Sequence, residues 1–194
     1  MCGRYQEWVD DEDILRIIER EKKGNISRYF RQSEVYPGSC SPILYGSPFT
    51  VRAKLSKWGC TINTGTDGKT STARLINARA ESTSYKPMFK DTTRNNRTLV
   101  VTSGYYEWSG DRRKWHITNG GVMLLAALDI SSYAEEDCHV VITTAARGDI
   151  RTIHHRMPLV IAKEEIKAWL YDEDFARRKL ASAGPSDFDI REVV

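Results

Sequence analysis

Short segments with apolar or alternating side chains, separated by glycine-rich turns, most constrain the fold of this chain. Residues 49–55 alternate between apolar and polar side chains, as a half-buried strand does. Gly110-Asp111 and Asn119-Gly120-Gly121 suit tight turns between paired strands. Further strands are predicted near residues 73–80, 98–102, 105–109, 114–118, 122–128 and 138–144. The pattern predicts an α+β, β-rich fold with a curved or barrel-like, mainly antiparallel sheet.

A few helices are predicted at the periphery of that sheet. The segment from Asp10 to Lys22 carries an apolar stripe that includes Ile14 and Ile18. Two more helices are predicted over residues 162–171 and 172–182, because apolar side chains recur there at helical spacing.

The segments between these elements are predicted from their glycine and proline content. Gly24-Asn25 is expected to end the first helix. Residues 35–48 contain three prolines and two glycines and are predicted to be irregular, and residues 64–72 are predicted to form a loop. Residues 188–194 are predicted to close the fold as a strand, within a single domain over residues 1–194.

The composition is close to that of an average soluble globular protein, with 40% hydrophobic and 28% charged residues. The formal net charge of +3 is compatible with nucleic-acid binding but does not by itself argue for it. No apolar run approaches the roughly 18–20 residues that cross a bilayer, and no apolar signal segment stands at the N-terminus. We therefore expect a cytoplasmic protein without a membrane partner, and nothing in the composition demands more than a monomer.

The four cysteines, at positions 2, 40, 60 and 138, do not form a recognisable metal or disulfide motif. They include no C-x-x-C pair and no histidine at zinc-site spacing. We expect reduced thiols, no metal and no cofactor.

Cys2 gains a distinctive chemistry if Met1 is removed. The chain then begins with an α-amine of pKa roughly 7.7–8 next to a thiol of pKa about 8.5. Such a pair captures an aldehyde, because the amine forms an imine and the thiol then closes a five-membered thiazolidine ring. Considered alone, however, position 2 is more often just a cysteine in a frayed terminus.

Residues 77–81 form a polar cluster on a predicted strand. Asn77, Arg79 and Glu81 would share one face of the strand, and the alanines between them would face the other. The arginine suits a phosphate, and the asparagine can orient a nucleophile or a sugar oxygen. A solvated strand face with an Arg–Glu pair explains the same pattern.

Two further motifs carry groups that can transfer protons. Glu107 lies between aromatic residues, where burial would raise its pKa and suit it to general acid or base work. His154 and Arg156 would point the same way in an extended segment before a proline, with His155 opposite. Either motif alone could be purely structural.

Taken in order along the chain, these motifs resemble the SRAP (SOS response-associated peptidase) family, whose members crosslink to abasic sites in DNA. The resemblance runs from residue 2 to about residue 161. One departure follows Trp58-Gly59, where the family commonly has a proline and a second tryptophan and this chain has Cys60-Thr61-Ile62-Asn63. The matching segments are 2–5, 35–38, 58–59, 77–81, 104–108 and 154–158.

The resemblance implies a β-rich fold with a groove for single-stranded DNA that contains abasic sites, and thus a location at the nucleoid when bound to DNA. It also implies a covalent link through Cys2, with possible DNA lyase activity and self-processing at the Met1-Cys2 bond. The catalytic residues it implies are Cys2, Asn77, Glu107 and His154. The DNA-binding residues it implies are Arg4, Pro37, Trp58, Arg79 and Arg156.

Two other functional classes fit part of the same residues. A cysteine hydrolase could use Cys2 and His154 with Asn77 or Glu107 as the orienting group, although a terminal amine contributes nothing to that mechanism. A non-covalent single-strand-binding module would explain the aromatic and arginine residues but not the reactive ones.

Overall fold

The computed structural model describes residues 2–7, 9–21, 33–63, 72–182 and 184–193. Its strands are β1 (Arg4–Glu7), β2 (Ser33–Val35), β3 (Cys40–Gly46), β4 (Val51–Trp58), β5 (Cys60–Asn63), β6 (Thr72–Leu75), β7 (Asn77–Arg79), β8 (Arg97–Thr102), β9 (Gly104–Trp108), β10 (Lys114–Thr118), β11 (Met123–Asp129), β12 (Cys138–Ala145), β13 (Arg156–Pro158), β14 (Val160–Ile161) and β15 (Asp189–Val193). Its helices are α1 (Glu12–Glu19), α2 (Pro87–Asn95), α3 (Ile150–Ile153), α4 (Ile166–Tyr171) and α5 (Glu173–Ala181), with single 3₁₀ turns at Ala80–Ser82, Ser131–Tyr133 and Lys163–Glu165.

The larger sheet closes on itself. Its strand order is β13-β12-β4-β3-β8-β11-β14, and β12 also pairs with β11, so that five strands complete a ring. The pairings of β12 with β4 and β7 are parallel, and the other neighbours in this sheet are antiparallel. A second, antiparallel sheet has the order β15-β10-β9-β1-β2, and β5 and β6 form a separate hairpin. The predicted α+β class with a curved, mainly antiparallel sheet is confirmed.

The strands of the closed sheet bury side chains on both faces. On β8, Leu99 and Val101 join the cluster that packs under the helices, whereas Val100 joins the cluster shared with the second sheet. Because both faces are covered, these strands have nearly continuous apolar sequences. The second cluster also contains Cys2 and Tyr5, so the start of the chain is part of the core.

The first predicted helix is present but shorter than the sequence pattern. Asp11 caps its N-terminus by accepting hydrogen bonds from the backbone of Asp13 and Ile14. Ile14 and Ile18 are buried, as the apolar stripe predicts. The predicted end of this helix, from Lys22 to Asn25, and most of the predicted loop at 64–72 lie outside the described residues.

One local prediction is wrong, and one helix was not predicted. Residues 35–48 are not wholly irregular, because β3 lies within them and pairs with both β4 and β8. Pro42 fits there because the pairing with β8 begins only at Ile43. The helix α2 was not predicted; Pro87 stands in its first turn, where a missing N–H costs nothing.

The expectation of reduced thiols throughout is also wrong. Cys60 and Cys138 form a disulfide across 78 residues of sequence, with their Cα atoms 5.4 Å apart. Long-range pairing brings them together, because the backbone N–H of Gly59 donates to the carbonyl of His139 over 2.8 Å. Cys2 and Cys40 are free. Among the described residues, every helix is too short or too polar to cross a membrane.

Candidate active site

Four separate elements bring the four predicted catalytic side chains to one place. Cys2 lies two residues before the start of β1, Asn77 begins β7, Glu107 lies on β9, and His154 follows α3. The antiparallel pairing of β1 with β9 aligns Arg4 with Tyr106 and so brings the start of the chain to Glu107. Direct contacts between Cys2 and Asn77 and between Glu107 and His154 define the candidate active site.

Asn77 holds the backbone of Cys2. Its side-chain amide donates a hydrogen bond of 2.9 Å to the Cys2 carbonyl oxygen. Asn77 itself is fixed by the parallel pairing of β7 with β12, which places it opposite Val141. The asparagine therefore ties the first residues of the chain to the closed sheet.

The Cys2 thiol is fully buried at this site. Burial raises its pKa well above the usual range, and the nearby charge of Glu107 raises it further. The thiol donates weakly to the carbonyl oxygen of Arg4 over 3.9 Å. Cys2 is therefore held as a neutral thiol rather than a thiolate.

Glu107 and His154 form a close pair of proton-transfer groups. The Nδ1 atom of His154 lies 3.6 Å from Oε1 of Glu107. Burial raises the pKa of Glu107 and lowers that of His154. These opposite shifts bring the pKa values of the two groups towards each other.

The backbone of Arg156 holds the His154 ring. The backbone N–H of Arg156 lies 2.9 Å from His154 Nδ1, and the carbonyl oxygen of Arg156 lies 3.2 Å from the same atom. The ring is therefore oriented by the residue two positions further along the chain. The His154 ring stacks on that of exposed His155 at 4.3 Å, so the two rings do not point to opposite faces as predicted.

The described residues hold no group of three or more histidine, cysteine, aspartate or glutamate side chains placed to bind a metal ion.

The predicted two-faced pattern of residues 77–81 is present, with a different ion pair. Ala78 and Ala80 are buried, and Arg79 is exposed. Glu81 pairs with Arg156 through two hydrogen bonds of 2.7 and 2.9 Å. Arg156 is buried and also donates to the carbonyl of Thr143. Its guanidinium is thus engaged within the protein, whereas that of Arg79 faces solvent.

Arg4 lies on the outer face of the second sheet, between two aromatic rings. Its guanidinium is 4.2 Å from the ring centre of Tyr36 and 4.8 Å from that of Trp108. It also donates to Glu34 over 2.7 Å. Lys114 contacts the same carboxylate, so Glu34 partly neutralises this basic patch.

Trp58 is buried and positions the strands around the site. Its indole N–H donates to the carbonyl of Ile76, next to Asn77, over 2.9 Å, and its ring lies 4.8 Å from that of Tyr5. The neighbouring turn is half-buried at Pro37 and is fixed to Trp58 by a 2.7 Å bond from the N–H of Gly38. Trp58 therefore forms part of the wall behind the site and offers no face for stacking.

Sequence reasoning gave Tyr105 no role in the chemistry of this site, and it did not single out Glu34 beside Arg4. Tyr105 is fully buried, and its hydroxyl has no hydrogen-bond partner among the described residues. Burial raises its pKa well above the usual range, and the charges of Cys2 and Glu107 add to this shift. The other residue is Glu34, whose role depends on strand pairing that local sequence does not reveal.

Comparison with known proteins assigns a family to this arrangement. The family model described as SOS response associated peptidase (SRAP) matches residues 1–193. The chain is 26% identical over 188 residues to the abasic site processing protein YedK of Escherichia coli (strain K12), covering 89% of this chain and 81% of that protein. It is 23% identical, over an alignment of 226 positions that includes gaps, to the abasic site processing protein YoqW of Bacillus subtilis (strain 168). That alignment covers 100% of this chain and 92% of that protein.

Solved structures share the fold. A crystal structure of a phage-related protein from Bordetella bronchiseptica superposes with a TM-score of 0.76 at 20% identity, covering 99% of this chain and 94% of that one. A protein from Bacteroides thetaiotaomicron gives a TM-score of 0.74 at 18% identity, covering 100% and 92%.

Proposed function

Because the chain belongs to the SOS response-associated peptidase (SRAP) family, we propose that it processes abasic sites in single-stranded DNA by bonding to them covalently through Cys2. Relatives along the whole chain are named abasic site processing proteins, which supports this substrate. The finer proposal concerns the chemistry: the amine and thiol of Cys2, freed of Met1, capture the aldehyde of the opened deoxyribose.

One observation carries the proposal: Cys2, Asn77, Glu107 and His154 converge although they come from four separate elements. Aldehyde capture needs an oriented amine and thiol together with a group that passes protons. The hydrogen bond from Asn77 supplies the orientation, and the adjacent carboxyl–imidazole pair supplies the proton transfer.

The reaction balances without a cofactor. The Cys2 amine adds to the aldehyde carbon and gives a carbinolamine. The carboxyl of Glu107 donates a proton to the carbinolamine hydroxyl, which leaves as water and gives an imine. The thiol sulfur then bonds to the imine carbon while its proton passes to the nitrogen, which closes a thiazolidine ring. Ring closure consumes the imine before β-elimination can cut the strand.

The protonation states at the site suit this sequence. A carboxyl with a raised pKa keeps a proton to donate at higher pH than an ordinary glutamate, and the neutral imidazole beside it can take one up. The buried thiol stays neutral until the imine forms. It then needs a base nearby, which Glu107 becomes after giving up its proton.

The DNA backbone is proposed to run past Arg4 and Arg79. Arg79 is exposed and Arg4 is partly exposed, and guanidinium groups bind phosphates through several N–H donors. Arg156 is assigned instead to holding Glu81 and the segment that carries His154. Pro37 and Trp58 are assigned to the groove wall.

A cysteine hydrolase is disfavoured by the same electrostatics. Such enzymes activate a thiolate by lowering its pKa with a neighbouring cation. At this site burial and Glu107 both raise the pKa of Cys2.

The decisive experiment mixes the purified protein with a single-stranded oligonucleotide that contains one abasic site and examines the products on a denaturing gel. Mass spectrometry first establishes that Met1 is absent. We expect a heat-stable protein–DNA band that is lost in Cys2→Ala. Cys40→Ala is the matched control, because Cys40 is the exposed free thiol of the described residues. No band from the processed wild type, or loss of the band in Cys40→Ala alone, would refute the proposal.

A second variant separates the amine from the thiol. Cys2→Ser keeps the terminal amine but cannot form thiazolidine, so its imine should proceed to β-elimination and cut the strand. We expect strand scission to replace the stable band. A Cys2→Ser protein that neither cleaves the abasic strand nor can be trapped on it by borohydride would contradict the imine step.

A further inference from the structure

A groove adjoins the candidate active site on the side of Asn77. It has a volume of about 520 Å³ and lies between the β5–β6 hairpin and the segment that enters α2. Ile62 and Leu75 line its hairpin side, and Tyr85 and Lys86 line the other. Asn77 and Arg79 also line it, so the groove begins where Asn77 holds Cys2.

The groove combines an exposed aromatic ring with positive charge. Tyr85 is 68% exposed, which is unusual for a large aromatic side chain that borders a cavity. Arg79 and Lys86 are the charged residues that line the groove, and both are basic. An aromatic face flanked by cations suits a nucleobase and its phosphates, because every base can stack and every phosphate is anionic.

We propose that the Tyr85 groove is a subsite for one unpaired nucleobase next to the abasic nucleotide. The base stacks on the ring of Tyr85, and Arg79 and Lys86 bind the phosphates on either side of it. This inference rests on the proposed function, since it concerns the strand whose abasic sugar reaches Cys2.

Tyr85 is the exposed aromatic side chain that lines this groove. Trp58 is fully buried, and Tyr36 and Trp108 lie beside Arg4 and do not line the groove. The strand β5 that follows Trp58 contributes no aromatic side chain. A base in the groove would therefore stack on Tyr85.

The test measures non-covalent binding, separately from crosslinking. The probe is a fluorescent single-stranded oligonucleotide with a central tetrahydrofuran residue, an abasic analogue that has no aldehyde. Variants of the probe carry a second tetrahydrofuran residue on the 5′ or the 3′ side, which removes one neighbouring base. Dissociation constants are measured at fixed salt for wild type, Tyr85→Ala, Tyr85→Phe and Phe49→Ala. Phe49 is the control, because it is 97% exposed and does not line the groove.

We expect Tyr85→Ala to weaken binding about tenfold, the size of one base–aromatic stack. Removal of the base on one side should weaken wild-type binding by a similar factor and leave Tyr85→Ala unchanged. Tyr85→Phe should bind like wild type, since it keeps the ring, and Phe49→Ala should also do so.

Two results would overturn the subsite. One is that Tyr85→Ala binds the probe as tightly as wild type does. The other is that the losses of affinity from Tyr85→Ala and from removal of a base add up, whether the 5′ or the 3′ base is removed. A parallel reaction of wild type with a true abasic site keeps the two proposals apart. A missing crosslink with intact Tyr85 coupling would refute the covalent function alone. A normal crosslink without Tyr85 coupling would refute the subsite alone.

Discussion

The side-chain amide of Asn77 donates a hydrogen bond to the carbonyl oxygen of Cys2 over 2.9 Å. The bond joins the start of the chain to β7, although Cys2 and Asn77 are 75 residues apart in the sequence. Its geometry fixes the peptide unit from which both reactive groups of Cys2 project.

Asn77→Ala should therefore slow crosslinking much more than it destabilises the protein. Loss of orientation by about 1 Å can cost about 100-fold in rate, whereas one hydrogen bond contributes only about 1 kcal/mol to folding. Single-turnover crosslinking and urea unfolding measure the two effects. Asn95→Ala, at the exposed end of α2, is the matched control. Equal rates for Asn77→Ala and wild type would show that the bond has no role in the chemistry.

Glu107→Gln tests proton transfer. The variant keeps the shape of the side chain but cannot exchange a proton, so crosslinking should slow by about 100-fold or more. Because burial raises the pKa of Glu107, its acid form persists to higher pH than for an ordinary glutamate. The wild-type rate of imine formation should lose the contribution of this acid as pH rises through that pKa, and the variant should lack this dependence.

The control for this prediction is binding to the unreactive tetrahydrofuran probe. Glu107→Gln should bind it within about twofold of wild type, since the carboxyl is buried and faces Cys2 rather than solvent. A loss of binding as large as the loss of rate would assign Glu107 to DNA contact instead.

Glu34→Gln tests the basic patch around Arg4. The carboxylate pairs with Arg4 and Lys114 and so competes with a phosphate for both. Removing its charge should tighten binding of single-stranded DNA by about twofold to fivefold, the scale of a partly exposed ion pair. The gain should shrink between about 50 and about 200 mM salt, because salt screens the interaction. Weaker binding by Glu34→Gln would mean that its main role is to position Arg4.

Local sequence predicts much of the sheet because strand burial leaves a local signature. β8, β10, β11 and β12 lie where alternating or continuous apolar runs predict them. The failures have a common cause. β3 contains Pro42, which argues against a strand unless its pairing partners are known. The Cys60–Cys138 disulfide joins two residues that no local motif relates.

The candidate site was likewise predictable only in part: the residue types were, and their exposure was not. Cys2, Asn77, Glu107 and His154 stand in motifs whose residue types suggest their chemistry, and the structure brings them together. Exposure was not predictable, because it depends on which strands cover a side chain. Trp58 and Arg156 were predicted to contact DNA, and both are buried through pairing with distant segments.

Glu7 offers a test of folding stability that is independent of the active site. It lies on β1, is buried, and its Oε1 atom has no hydrogen-bond partner among the described residues. Burial raises its pKa from 4.5 to about 8. Between these pH values the folded protein keeps a proton that the unfolded chain releases, so stability should fall as pH rises through this window and be greatest at its acid end.

Glu7→Gln should remove this dependence. At about pH 9 the free energy of unfolding of the variant should exceed that of wild type by about 1–3 kcal/mol, which is the cost of a buried polar group left unsatisfied. At about pH 5 the difference between the two proteins should nearly vanish. Urea unfolding at both pH values measures it. Glu164→Gln, which changes an exposed carboxyl, should leave the wild-type pH dependence intact. A Glu7→Gln protein less stable than wild type at the higher pH would show that the carboxylate is compensated in the folded state.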